Sequence, residues 1–147
     1  MQVLASKILI DWLRNRQQLL VPLTLDLQKL EPAEVEVVLH AMVTAAQADG
    51  AGDARGSERL GAALERVNAT AEHRGMLSEL LEHPKALRRV LGSVGDVKTG
   101  AIVYAASLLS IDRRNRVNRR YLRYLAARLR LPEALSRNLE RRFVAPM

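Results

Sequence analysis

The sequence predicts an all-α fold, a single-domain bundle of about seven to eight helices. Three observations carry that expectation. Helix-favouring residues dominate, and aromatic residues make up only 3% of the chain. Apolar residues recur every three or four positions in one stretch after another, the period of a helix face. Glycine and proline fall at spaced points, where they end or open helices. A length of 147 residues, 48% of them hydrophobic, suits one domain with a sizeable core.

The elements follow in order. A first helix is expected from about Val3 to Leu20, with Val3, Leu4, Ile8, Trp12, Leu13 and Leu19 on one stripe. Leu23, Leu25 and Leu27 then alternate with polar residues around Pro22, an ordered connector whose leucines plug the core. Residues 1–30 are thus an N-terminal helix and connector packing on a helical domain of residues 31–147. Pro32 suits the first turn of the next helix, where Glu31, Glu34 and Glu36 favour the positive end of its dipole. Val35, Val38, Leu39, Met42, Val43 and Ala46 are its buried stripe, and His40 is a packed or boundary residue. After Asp49-Gly50-Ala51-Gly52-Asp53, a third helix runs through Leu60, Leu64 and Val67. Two short helices follow, Ala71–Leu81 and Pro84–Leu91. Asp96 caps a helix from Val97 to about Ile111. Thr99–Ile111 is the longest uncharged stretch, at thirteen residues. A membrane span needs roughly 20, so a buried core helix is expected here. Asp112–Arg116 turns the chain, and Val117–Leu129 is helical, with Tyr121, Leu122, Leu125 and Leu129 inward and Tyr124 also read as packing. Pro132 opens a last helix ending near Val144.

Composition narrows the chemistry. There is no cysteine, which removes disulfides, thiolate metal sites and cysteine nucleophiles. The N-terminal stretch is broken by Asp11, Arg14 and Arg16 and does not read as a signal peptide, so a cytoplasmic protein without a transmembrane segment is expected. No nucleophile elbow, phosphate loop or His-Glu-x-x-His motif occurs, and no enzyme is expected. Net charge is +7, unevenly spread. Residues 31–82 carry ten acids and four bases, whereas residues 112–147 carry eleven arginines and three acids. Such asymmetry either steers an anionic partner to one face or is satisfied inside the chain.

Two groups of residues are candidates for function. Asp49 and Asp53, with Glu58 beyond them and Asp112 in the later turn, are carboxylates able to converge on a divalent cation such as calcium or magnesium, which takes several oxygens. The plainer reading is that Asp49-Gly50 ends one helix and Asp53 caps the next. Arg116, Arg119, Arg120 and Arg123 follow the spacing of a single helix face, and Arg113, Arg114 and Arg130 extend it. That ridge is expected to point outward, where it is either simply solvated or internally paired, or meets a protein partner, nucleic acid or an anionic membrane surface. Oligomeric state is left open.

Met42-Val43-Thr44-Ala45-Ala46-Gln47-Ala48-Asp49-Gly50 resembles the A-x-A-D-G-x-I-D turn of the TerB-like (tellurite-resistance protein B) proteins. Tyr104-Ala105-Ala106-Ser107-Leu108-Leu109-Ser110-Ile111-Asp112, followed by Arg119-Arg120-Tyr121-Leu122 and Leu125-Ala126, resembles that family's second half. The likeness covers about residues 33–143 and is strongest to the uncharacterised YebE-type subgroup. It implies two related helical hairpins, acids gathered at the turns to bind a divalent metal or serve for docking, a stress-response setting, and no enzyme activity. Asp49, Asp53 and Asp112 match the pattern. Gly52 stands at the family's isoleucine, Gly56 at an expected glutamate, and Arg114 and Asn118 at acids of the second half. The upstream hydrophobic region of the YebE-type proteins has no counterpart, so no membrane anchor is implied.

Overall fold

The computed structural model describes residues 25–48, 54–83, 86–92 and 94–144. Every regular element among them is helical: a 3-10 turn at Leu27–Lys29 and the α-helices α1 (Pro32–Ala46), α2 (Ala54–Arg66), α3 (Ala71–Glu82), α4 (Leu87–Leu91), α5 (Val97–Ser110), α6 (Arg116–Arg128) and α7 (Glu133–Arg142). The all-α expectation holds. Six of these helices have ten residues or more, slightly fewer than the seven to eight expected. The helix expected over Val3–Leu20 lies outside the described residues.

The uncharged stretch becomes the centre of the bundle. Every residue of α5 from Gly100 to Ser110 is buried, which only a helix covered on all sides can tolerate. α1 packs along it most extensively, and α2, α6 and α7 cover its remaining sides. Val38, Leu39 and Met42 of α1, Leu125 of α6 and Leu135 and Leu139 of α7 are all buried in this cluster. The two polar residues in the core helix satisfy themselves. Ser107 and Ser110 donate to the carbonyls of Val103 and Ala106, four residues back, at 2.8 and 2.9 Å. Gly100 lets the α6–α7 connection come close, since a Cβ there would lie 3.3 Å from a Leu131 methyl.

The ends are written in side chains. Asp96 caps α5 by accepting from the Thr99 amide at 2.8 Å. Asn115 caps α6 by accepting from the Val117 amide at 2.8 Å. Thr70 and His73 cap α3 reciprocally, the Thr70 hydroxyl accepting from the His73 amide and His73 Nδ1 from the Thr70 amide. α2 and α6 both end in a left-handed residue, Asn68 at φ 59° and Arg130 at φ 55°. In each case the next amide reaches back five residues, Ala69 to Leu64 and Leu131 to Ala126.

Two expectations need correction. The second of the short helices begins at Leu87, not Pro84, which lies outside the described residues. Tyr124 does not pack, being 49% exposed. The inward stripe of α6 is Asn118, Leu122, Leu125 and Leu129. Tyr124 sits one position before Leu125 and is therefore turned about 100° from it. Tyr121 stays partly buried against the core, as expected. Of the connector leucines, Leu25 and Leu27 are buried as expected, and Leu23 lies outside the described residues. Leu27 opens the 3-10 turn, and its amide donates to the Val67 carbonyl at 2.9 Å.

Candidate functional site

The turn between α5 and α6 is held together by arginine. Asp112 accepts from the Arg114 amide at 3.0 Å and from the Arg114 guanidinium on both oxygens, each at 3.0 Å. This two-pronged pairing is the geometry at which arginine holds carboxylates best. Hydrogen bonds from the Arg114 side chain and backbone hold the Asp112 carboxyl down at about 2, well below its ordinary value. Arg59 of α2 approaches the same carboxylate at 3.9 Å. Arg59, in the first half of α2, therefore lies beside the α5–α6 turn.

Other arginines in this region serve the backbone. Arg113 donates to the Glu140 carbonyl of α7 at 2.8 Å. The Glu140 carboxylate in turn accepts from the buried Tyr104 hydroxyl at 2.9 Å. Burial and that carboxylate both push the Tyr104 hydroxyl above the ordinary tyrosine range. Arg119 folds back onto the turn and donates to the carbonyls of Arg113 and Arg114 at 3.0 and 2.8 Å. Asn118, buried, donates to the Asp112 carbonyl at 2.9 Å.

Arg116, Arg120 and Arg123 are different. All three are exposed, and no carboxylate among the described residues pairs with them. Beside them lie Val117, 53% exposed, and Tyr124. α6 has no acid in its first turn, and Arg116 occupies its first position. There the helix dipole repels a cation. Neighbouring arginines three and four residues apart repel each other as well.

The structure thus divides the predicted docking residues. It brings Arg116, Arg120 and Arg123 together on an open face, and it commits Arg113 and Arg119 to the turn. Of the predicted cation ligands, Glu58 is exposed on α2 and Asp112 is engaged by two arginines. Asp49 and Asp53 lie outside the described residues. Among the described residues no three His, Asp or Glu side chains gather as a metal site would need. No described helix is long and apolar enough to cross a membrane. Sequence reasoning missed the Asp112 clamp, although Arg114 two residues on was its available signal. It also missed Tyr124, whose offset from the Leu122–Leu125 stripe gave it away.

No curated protein and no solved structure matches the chain. A family model does, over residues 2–143, and its description is protein of unknown function (DUF533). With almost the whole length matched, the chain belongs to the DUF533 family.

Proposed function

We propose that this protein is a non-enzymatic, TerB-like interaction module of bacterial stress response, and that the outer face of α6 is its docking surface. One observation carries the reading: Arg116, Arg120 and Arg123 stand exposed, with no carboxylate partner among the described residues, on a helix that electrostatics alone would not load with cations. No side-chain hydrogen bond or ion pair among the described residues holds them, whereas Arg113, Arg114 and Arg119 are each bonded in place. Arginine and tyrosine are also the side chains that dominate binding energy at protein interfaces. The TerB-like resemblance supports a role in docking over one in catalysis.

Photo-cross-linking in cells tests this. A cross-linking residue at position 120 is expected to give discrete protein adducts, while one at the control position Arg137 on α7 gives none. Equal labelling from both positions, or no adducts from position 120 in folded protein, contradicts the reading.

The exposed Tyr124 favours a second reading, an anionic partner whose phosphates meet the arginines while a base stacks on the ring. Gel shift and vesicle co-sedimentation at low salt separate the two. Binding that falls steeply with salt and vanishes in the variant R116E/R120E/R123E supports nucleic acid or an anionic membrane over protein.

A further inference from the structure

The positive face has a negative counterpart on the same chain. α3 buries only Leu77 fully. Its outer side carries Glu72, Glu79 and Glu82, all exposed. At about 100° per residue these three fall within an arc of about 80°, with Gly75 between them. Gly75 is exposed, and a Cβ added there would meet nothing within 4 Å. No contact inside the chain asks for a glycine at that point, and an interior glycine weakens a helix. Ala71 and Ser78 continue the exposed small-residue surface beside it.

The two faces match in spacing. Glu72 and Glu79 stand seven residues apart, as do Arg116 and Arg123, which is about 10.5 Å along either helix. Laid antiparallel, the orientation helix dipoles favour, Arg116 meets Glu79 and Arg123 meets Glu72. α3 packs on α1 and α6 on α5, and no ion pair joins the two faces within one chain among the described residues.

We propose that the α6 face docks on the α3 face of a second copy of this chain, each copy giving one face and receiving the other. Reciprocal pairing makes the same contact twice and closes a twofold dimer. The inference rests on the reading of α6 as a docking surface and names its occupant.

Sedimentation velocity of the full chain at 50 and 500 mM salt tests it. A concentration-dependent dimer is expected at the lower salt, with a dissociation constant about tenfold weaker at the higher, where exposed charges are screened. R116E/R123E and E72R/E79R are each expected to be monomeric. An equimolar mixture of the two variants is expected to restore the dimer, since both contacts are then complementary again. Gly75→Trp, on the open face, is expected to block association in protein with an unchanged helical signal. A monomeric wild type, a dimer that survives both double variants, or a mixture that stays monomeric overturns the proposal. If the protein is monomeric yet position 120 cross-links to another protein, or its α6 face shifts a nucleic acid, self-docking fails alone. If position 120 gives no adduct to any protein, this one included, the docking reading fails with it.

Discussion

Asp112 shows how a single residue can be assigned a task by its neighbours. In isolation it reads as a turn residue or a metal ligand. In the structure Arg114 holds both of its oxygens, and Arg59 ties it to α2. Its carboxyl stays ionised to about pH 2, against an ordinary value of 3.8. Because the folded-state value is the lower one, the stabilisation is complete above about pH 4 and is lost as pH falls toward 2. Asp112→Asn is expected to cost about 1 kcal/mol at neutral pH, near the upper end for a surface pair. Chemical denaturation across pH checks this, and the gap between variant and wild type should close as pH approaches 2. A gap independent of pH would mean that the ion pair is not its cause. Arg130 offers a test of a different kind. It holds φ 55°, where a side chain is strained and glycine is not. Arg130→Gly is expected to raise stability by about 1 kcal/mol, read from the shift in denaturation midpoint.

Among the elements, α5 was the most legible. Thirteen uncharged residues flanked by charge could hardly be anything but a buried helix in a chain of this size, and Asp96 marks its start in the sequence. Leu108 is fully buried in its last turn, so Leu108→Ala is expected to destabilise by about 2–5 kcal/mol in the same denaturation assay. A smaller loss would show that the neighbouring helices can collapse into the space. α6 was legible only in part. Its four-arginine spacing is a pattern in the sequence, and three of the four are exposed with no partner among the described residues. What separates Arg119 from Arg120 is not a pattern. Arg119 lies within reach of the carbonyls of Arg113 and Arg114, and that depends on how the turn bends. Arg113 likewise depends on where α7 arrives, since its acceptor is a backbone carbonyl of Glu140, 27 residues away. Periodicity reports which way a residue points, and it is silent on which carbonyl will be waiting.

At the scale of the whole molecule, the charge asymmetry resolves into two portions. Part of the basic end is consumed inside the fold: Arg113 and Arg114 hold the turn, and Arg59 joins them from the acidic segment. Of the arginines that are left over, Arg116, Arg120 and Arg123 face solvent together on a helix with no acid of its own to balance them. The central claim is that this group of three serves binding and not folding. The thermal unfolding midpoint of R116E/R120E/R123E against wild type, both dilute enough to be monomeric so that self-association adds nothing to stability, tests it most directly. Exposed, unpaired side chains contribute within about 0.5 kcal/mol, which is about 2 °C or less for a chain of this length. Relief of repulsion at the α6 N-terminus favours a small rise. The account predicts a midpoint unchanged to that margin or slightly higher, whereas a fall of about 5 °C or more would show that these arginines hold the fold together and contradict the claim.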